Sequence, residues 1–282
     1  MAVAQQHGSL ELAPGALHAL GGVVPVDGRI SWFADSARGY APLLCYLLTS
    51  PDGDVLVDTT MPALREQVMG QLEALHPDAQ PLTLLLSRNP EFDSIGNGGA
   101  ILTRFPSQKL VSIFRAEQWL YFLPNSGAKP PEERPASHQP EWIEILKGMS
   151  IDVGTGGRQL LVLPEGAPLR LLSTFWTYDE ATRTLFTSDA FGHNLMAAPD
   201  DPWFVDEATD TIAYEQVRDH MLAKFDWLGE AHTERIREQL SGIFDTYQVE
   251  TIAPQFGRVI RGAKTVARHR DLVLAALEEV GV

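Results

Sequence analysis

Strand-like runs followed by helix-like runs, twice over in 282 residues, predict an α/β chain folded as a four-layer αβ/βα sandwich. Three observations support that class. Short apolar runs alternate with Pro/Gly turns in the first half. Amphipathic stretches with apolar residues three and four apart follow them. The second half then repeats the order and closes on helical stretches. No internal sequence repeat accompanies this duplication, and the whole span 1–282 reads as a single domain.

Ile30 to Phe33 and Ala41 to Thr49 are strand-like. Ser50-Pro51-Asp52-Gly53 has turn chemistry, because Pro fixes φ and Gly accepts positive φ. Asp54 to Asp58 is the next strand, and Thr60 reads as an N-cap with Pro62 in the first helical turn. The helix that follows carries Leu64, Val68, Leu72 and Leu75 on one side. Pro81 to Ser87 is a buried strand. Phe114 to Phe122, rich in aromatics, reads as a helix packed on a sheet. Asn125 to Gln139 is a proline-rich surface loop, since clustered prolines disfavour both helix and ladder. Leu160 to Leu163, Leu169 to Leu172, Thr184 to Thr187 and Val249 to Ala253 are expected as strands. Asp210 to Leu228, Glu230 to Ile243 and Lys264 to Val280 are expected as helices.

Composition narrows the function. Hydrophobic residues make up 44%, enough for a substantial core. No run approaches the ~20 consecutive apolar residues that span a bilayer. Met1 to Gly8 lacks the basic-then-apolar order of a secretory signal, so a cytoplasmic location is expected. A net charge of -15, from 22 basic and 37 acidic residues, repels nucleic acid and anionic membranes and leaves small molecules or proteins as partners. The lone cysteine, Cys45, sits in an apolar run and reads as a buried strand residue. No Gly-x-Ser-x-Gly elbow is present, and Gly96-Asn97-Gly98-Gly99 lacks the Lys and Ser/Thr of a phosphate loop.

The most informative stretch is Arg88-Asn89-Pro90-Glu91-Phe92-Asp93-Ser94-Ile95-Gly96-Asn97, directly after a buried strand. Its frame x-x-Glu-x-Asp-x-x-Gly resembles the H-x-E-x-D-H-x-G loop of the metallo-β-lactamase superfamily, in the version used by flavodiiron and oxygen-binding diiron proteins. Leu185-Phe186-Thr187-Ser188-Asp189-Ala190-Phe191-Gly192 is similar to that family's LFSSDAFG segment, and Thr177-Tyr178-Asp179-Glu180 to its FTYDE turn. Ala253-Pro254-Gln255-Phe256-Gly257 is similar to its APSHG segment. The likeness covers roughly residues 30–262, with the helix 264–280 beyond it and no flavodoxin-like phosphate loop.

The resemblance implies the metallo-β-lactamase-like sandwich, a homodimer, and in the family's intact members a diiron centre that reduces oxygen or nitric oxide. Residue by residue, however, its four histidines fall on Asn89, Ser94, Arg170 and Phe256, whereas its three carboxylates fall on Glu91, Asp93 and Asp189. Amide and hydroxyl groups are much poorer ligands than imidazole for iron or zinc. The expectation is therefore a pocket of Asn89, Glu91, Asp93, Ser94, Arg170, Asp189 and Phe256 without a cofactor, held by Arg170 pairing with the acids. Clustered carboxylates cannot all ionise cheaply, so at least one pKa should rise. The alternative is iron or another divalent metal on Glu91, Asp93 and Asp189, with His193 as a nitrogen ligand, supporting an oxidoreductase or hydrolase. A third reading uses Glu91 or Asp93 as a metal-free general acid or base. The other histidines, His7, His18, His76, His138, His220, His232 and His269, show no ligand spacing.

Overall fold

The computed structural model describes residues 8–28, 30, 33–77, 79–88, 91–113 and 128–282. Asn89 and the aromatic stretch 114–122 lie outside the described residues. The first sheet grows from a long hairpin of apolar residues. β1 (Leu10–Ala13), β2 (Leu17–Val26), β3 (Gly39–Leu48) and β4 (Asp54–Val57) pair antiparallel in sequence order. β5 (Leu82–Leu85), β6 (Ser107–Ser112) and β7 (Glu141–Glu144) then add parallel. Parallel addition requires crossovers, and α1 (Arg65–Leu75) and the pair α2 (Phe92–Ile95) and α3 (Gly98–Arg104) supply the first two.

The second sheet contains β8 (Ser150–Val153), β9 (Arg158–Val162), β10 (Thr177–Asp179), β11 (Thr184–Ser188), β12 (Phe204–Val205), β13 (Thr251–Pro254) and β14 (Val259–Arg261). Its order is β12-β14-β13-β11-β10-β9-β8, so among the described residues both sheets are seven-stranded. α4 (Tyr214–Lys224), α5 (Glu234–Thr246) and α6 (Ala263–Val280) cover its outer face.

Three apolar clusters bind the layers. Leu44, Tyr46, Val55 and Val57 of the first sheet meet Val162, Phe186 and Ala253 of the second. Leu64, Val68, Leu72 and Ile101 pack on Leu20, Leu47 and Leu84. Val217, Leu240 and Val273 pack on Leu185 and Ile252. This is the αβ/βα sandwich the sequence predicts. Cys45 is fully buried in β3, and burial pushes its thiol far up from the usual range. Among the described residues no helix is long and apolar enough to cross a membrane.

Several local expectations are corrected. Residues 169–172 form a loop rather than a strand, and Leu171 and Leu172 are 75% and 53% exposed. The cause is the side chain between Leu169 and Leu171: Arg170 is tied to two carboxylates, which takes the backbone off the sheet. Of the expected strand Ile30 to Phe33, residues 31 and 32 lie outside the described residues, and the amide of Phe33 donates to the carbonyl of Ile30 (3.2 Å). Thr60 does not cap α1. It adopts φ +59°, a 3-10 turn Pro62–Leu64 precedes the helix, and the Thr60 hydroxyl accepts from Asn97 Nδ2 (3.2 Å). The helix expected from Asp210 begins only at Tyr214. The sequence does not signal β2, because Gly21, Gly22 and Pro25 interrupt its apolar pattern, and burial on both faces removes the alternation that marks a half-exposed strand.

Candidate functional site

The C-terminal ends of the parallel strands β4 and β5 and of the parallel pair β11 and β13 converge at one end of the sandwich. Open α/β sheets collect binding groups at such ends. Asp58 follows β4, Ser87 and Arg88 follow β5, Glu91 to Ser94 lead into α2, Ser188 ends β11 with Asp189 next, and Gln255 and Phe256 follow β13. The residue 170–174 loop is joined to this end by a bridge between Arg88 and Thr174 and by the Phe175 amide donating to the Ser87 carbonyl (2.8 Å). Gly257 has φ +81°, and a Cβ there would lie 2.5 Å from the Gly192 carbonyl, so only glycine lets the β11 and β13 loops approach this closely. Four non-glycine residues at or beside this end, Asp58, Thr60, Ser188 and Phe191, hold positive φ. Such strain concentrates at functional sites.

At the centre stands Arg88, whose side chain has no solvent exposure. It pairs with Asp189, with Asp93 Oδ1 at 2.6 Å and with Glu91 Oε2 at 3.1 Å. Arg170, nearer the surface, pairs with Asp189 and Glu91. Lys224 of α4 reaches Asp189 Oδ1 at 3.2 Å. Phe256 forms an apolar wall, with the Lys224 Nζ 5.1 Å and the Arg88 Cζ 5.6 Å from its ring centroid. Three cations therefore face three carboxylates, and the formal charges cancel.

Burial would raise the Asp189 pKa, but Arg88, Lys224 and Arg170 override it and hold this carboxyl far below the usual range. Burial likewise disfavours the Arg88 charge, yet Asp189, Asp93 and Glu91 more than restore it. Burial lowers the Lys224 pKa, against the pull of Asp189. The carboxyl that is pushed up is Asp58, through burial, although Ser94 Oγ (2.6 Å) and Ser87 Oγ (2.7 Å) donate to it. Ser94 thus serves Asp58, not the trio of acids.

The structure brings Glu91, Asp93, Arg170, Asp189 and Phe256 into one cluster, with Ser94 one step away. It places His193 in a different group: its Nε2 is 2.8 Å from Nδ1 of His269. Two members of the cluster were missed. Arg88 opens the motif but matches no family ligand position. Charge counting was the available signal, since one arginine cannot neutralise three acids. Lys224 lies 35 residues beyond Asp189 and nothing local marks it.

Among the described residues, those gathered in this cluster do not fit a diiron centre. Guanidinium and ammonium groups offer no lone pair to a metal. Both oxygens of Glu91, both of Asp189 and one of Asp93 already face a cationic nitrogen. Among the described residues no group of three or more His, Cys, Asp or Glu is placed to hold a metal ion.

No protein-family model and no curated protein sequence matches the chain. Solved structures do. Rubredoxin oxygen:oxidoreductase from Desulfovibrio gigas superposes with a TM-score of 0.63 at 14% identity, covering 96% of this chain and 61% of that one. The flavodiiron protein from Giardia intestinalis gives 0.65 at 16%, covering 98% and 60%. A fragment, residues 1–254, of a Nostoc sp. PCC 7120 protein described as a diflavin flavoprotein gives 0.63 at 16%, covering 97% and 98%. The chain thus spans about three fifths of the first two structures it matches. Its fold is the metallo-β-lactamase-like sandwich of the flavodiiron proteins.

Proposed function

We propose that this chain keeps the scaffold of the flavodiiron proteins without a diiron centre and uses the charged end of the sandwich to bind a small molecule or a protein partner. The observation that carries this reading is the Arg88 guanidinium lodged among Glu91, Asp93 and Asp189. A buried cation there supplies the compensation that metal ions would supply in a diiron site. Phe92, Leu171 and Leu172 are exposed beside Glu91 and Arg170 and give a partner an apolar rim. We propose a homodimer, to be tested by light scattering on the purified protein.

The fold likeness and the three acids favour a second reading, a metal-dependent oxidoreductase acting on oxygen or nitric oxide, or a hydrolase. One experiment separates the two. The protein is expressed in medium rich in iron and manganese, and its metal content and oxygen consumption are measured before and after mild chelation. Substoichiometric metal and no consumption are the expected results. Stoichiometric, tightly held metal would overturn the metal-free reading.

A further inference from the structure

The rim of the charged cluster concentrates the exposed apolar surface of the chain. Among the described residues five large apolar side chains stand in solvent, and three of them, Phe92, Leu171 and Leu172, belong to the two loops that meet at this end. Glu91 precedes Phe92 and Arg170 precedes Leu171, so the Glu91–Arg170 ion pair draws the two apolar groups together. Single apolar residues scattered over a surface are ordinary, whereas a grouped set marks an interaction site.

Both loops are tied down before any partner arrives. Arg170 is anchored by Asp189 and Glu91 just ahead of the two leucines. Just after them Thr174 bridges to Arg88, and the Phe175 amide donates to the Ser87 carbonyl (2.8 Å). On the facing loop Gln255 Nε2 donates to the Asp93 carbonyl (2.6 Å), next to Phe92. A backbone fixed before contact loses less ordering entropy on binding.

Charge selects the partner. The charged groups of the cluster cancel in number but not in depth. Glu91 and Asp93 are 29% and 13% exposed, against 14% for Arg170, 7% for Lys224 and none for Arg88. The positive charge therefore lies mostly inside, and the most exposed member is an acid, Glu91. The chain as a whole carries a net charge of -15. A partner gains by bringing positive charge to this rim, whereas an anionic membrane or a second acidic surface is repelled.

We propose that Phe92, Leu171, Leu172 and Glu91 form a docking surface for a protein segment that carries apolar side chains together with lysine or arginine, as one face of a basic amphipathic helix does. The apolar side chains cover the three exposed residues, and the cation meets the outer edge of Glu91. This inference rests on the partner-binding reading given above, which metal content tests independently.

Fluorescein-labelled synthetic peptides, followed by fluorescence polarisation on the full chain, test it. An amphipathic Leu/Lys helix should bind saturably, and its Leu/Glu and Ser/Lys counterparts about tenfold more weakly. Leu171→Ser and Leu172→Ser together leave the net charge unchanged and should weaken the Leu/Lys peptide about tenfold. Both leucines are already in water, so the doubly substituted chain should fold. No binding of the Leu/Lys peptide would overturn the site, and equal binding of the Leu/Glu peptide would overturn the charge preference. Equal binding of the Ser/Lys peptide, or an unchanged affinity in the double variant, would reduce the effect to general attraction by an acidic protein and overturn the surface. Displacement of the peptide by phosphatidylcholine vesicles would assign the rim to a membrane instead. A dimer in light scattering that the double variant dissociates would assign it to a second copy of the chain, and either result would overturn the proposal.

Discussion

Two polar regions lie side by side in this molecule, and they survive burial by opposite means. The cluster around Arg88 buries full charges, each facing an opposite charge. The histidine group beside it buries titratable rings by keeping them neutral. Burial, helped by neighbouring cations, pushes His220 down to about 3 and His269 to about 4, and carries His193 well below its usual value. A guanidinium cannot shed its proton, so Arg88 must be paired. An imidazole can, so His193 and His220 tolerate unpartnered nitrogens at a smaller cost. The arginine cluster is thus held by its own ion pairs, whereas the histidine group is buried in the neutral form.

The sharpest way to break this contrast is Arg88→Ala. It strands Asp189, Asp93 and Glu91 without their central cation and should lower the unfolding free energy by about 3–5 kcal/mol in urea titrations. If the guanidinium stands where a metal would, the same variant should also regain stability on adding Mn²⁺, seen as a rise in Tm absent from the unsubstituted protein. A loss near zero would show that the cluster is not held by its pairing. Arg170→Ala removes the outer, partly exposed partner, and the expected loss is smaller, about 2–3 kcal/mol.

Acid should separate the two regions by pH window. The histidines have folded pKa values below the unfolded one of about 6.5, so the unfolded chain takes up protons first and stability falls as pH drops below that value. Asp189 is depressed from a usual value of about 3.9, so its contribution is intact at pH 5 and is lost only below about pH 4. Denaturant titrations between pH 7 and pH 4.5 should therefore report the histidines against an opposing contribution from Asp58, whose raised carboxyl adds stability as the pH falls, and His220→Gln should reduce the fall. An unchanged slope would mean that His220 is not the buried neutral group described. The smallest effect is expected at the rim: Leu171→Ser should change stability by no more than about 0.5 kcal/mol, because the side chain is already in water. A larger loss would point to packing of this loop against a second molecule.

The amino-acid sequence by itself determined the fold class and the elements β3, β4, β5, β9, β11 and β13 with α1, α4, α5 and α6, because apolar runs and periodicity report which residues are buried. It also determined which acids gather at the strand ends, because Glu91, Asp93 and Asp189 lie in motifs whose local frame is intact. Tertiary structure alone decided how those acids are neutralised. Arg88 is hidden as a spectator in its own motif, and Lys224 comes from a helix 35 residues past Asp189. It also decided that residues 169–172 leave the sheet, since two ion pairs of Arg170 outweigh the strand propensity of its leucine neighbours. The histidine group was invisible for the same reason. His193, His220 and His269 have no spacing in common, and only the packing of α4 and α6 on the second sheet brings three imidazoles together. Hydrophobic periodicity is a local property of the chain, whereas charge compensation and hydrogen-bond satisfaction are properties of the space in which distant residues meet.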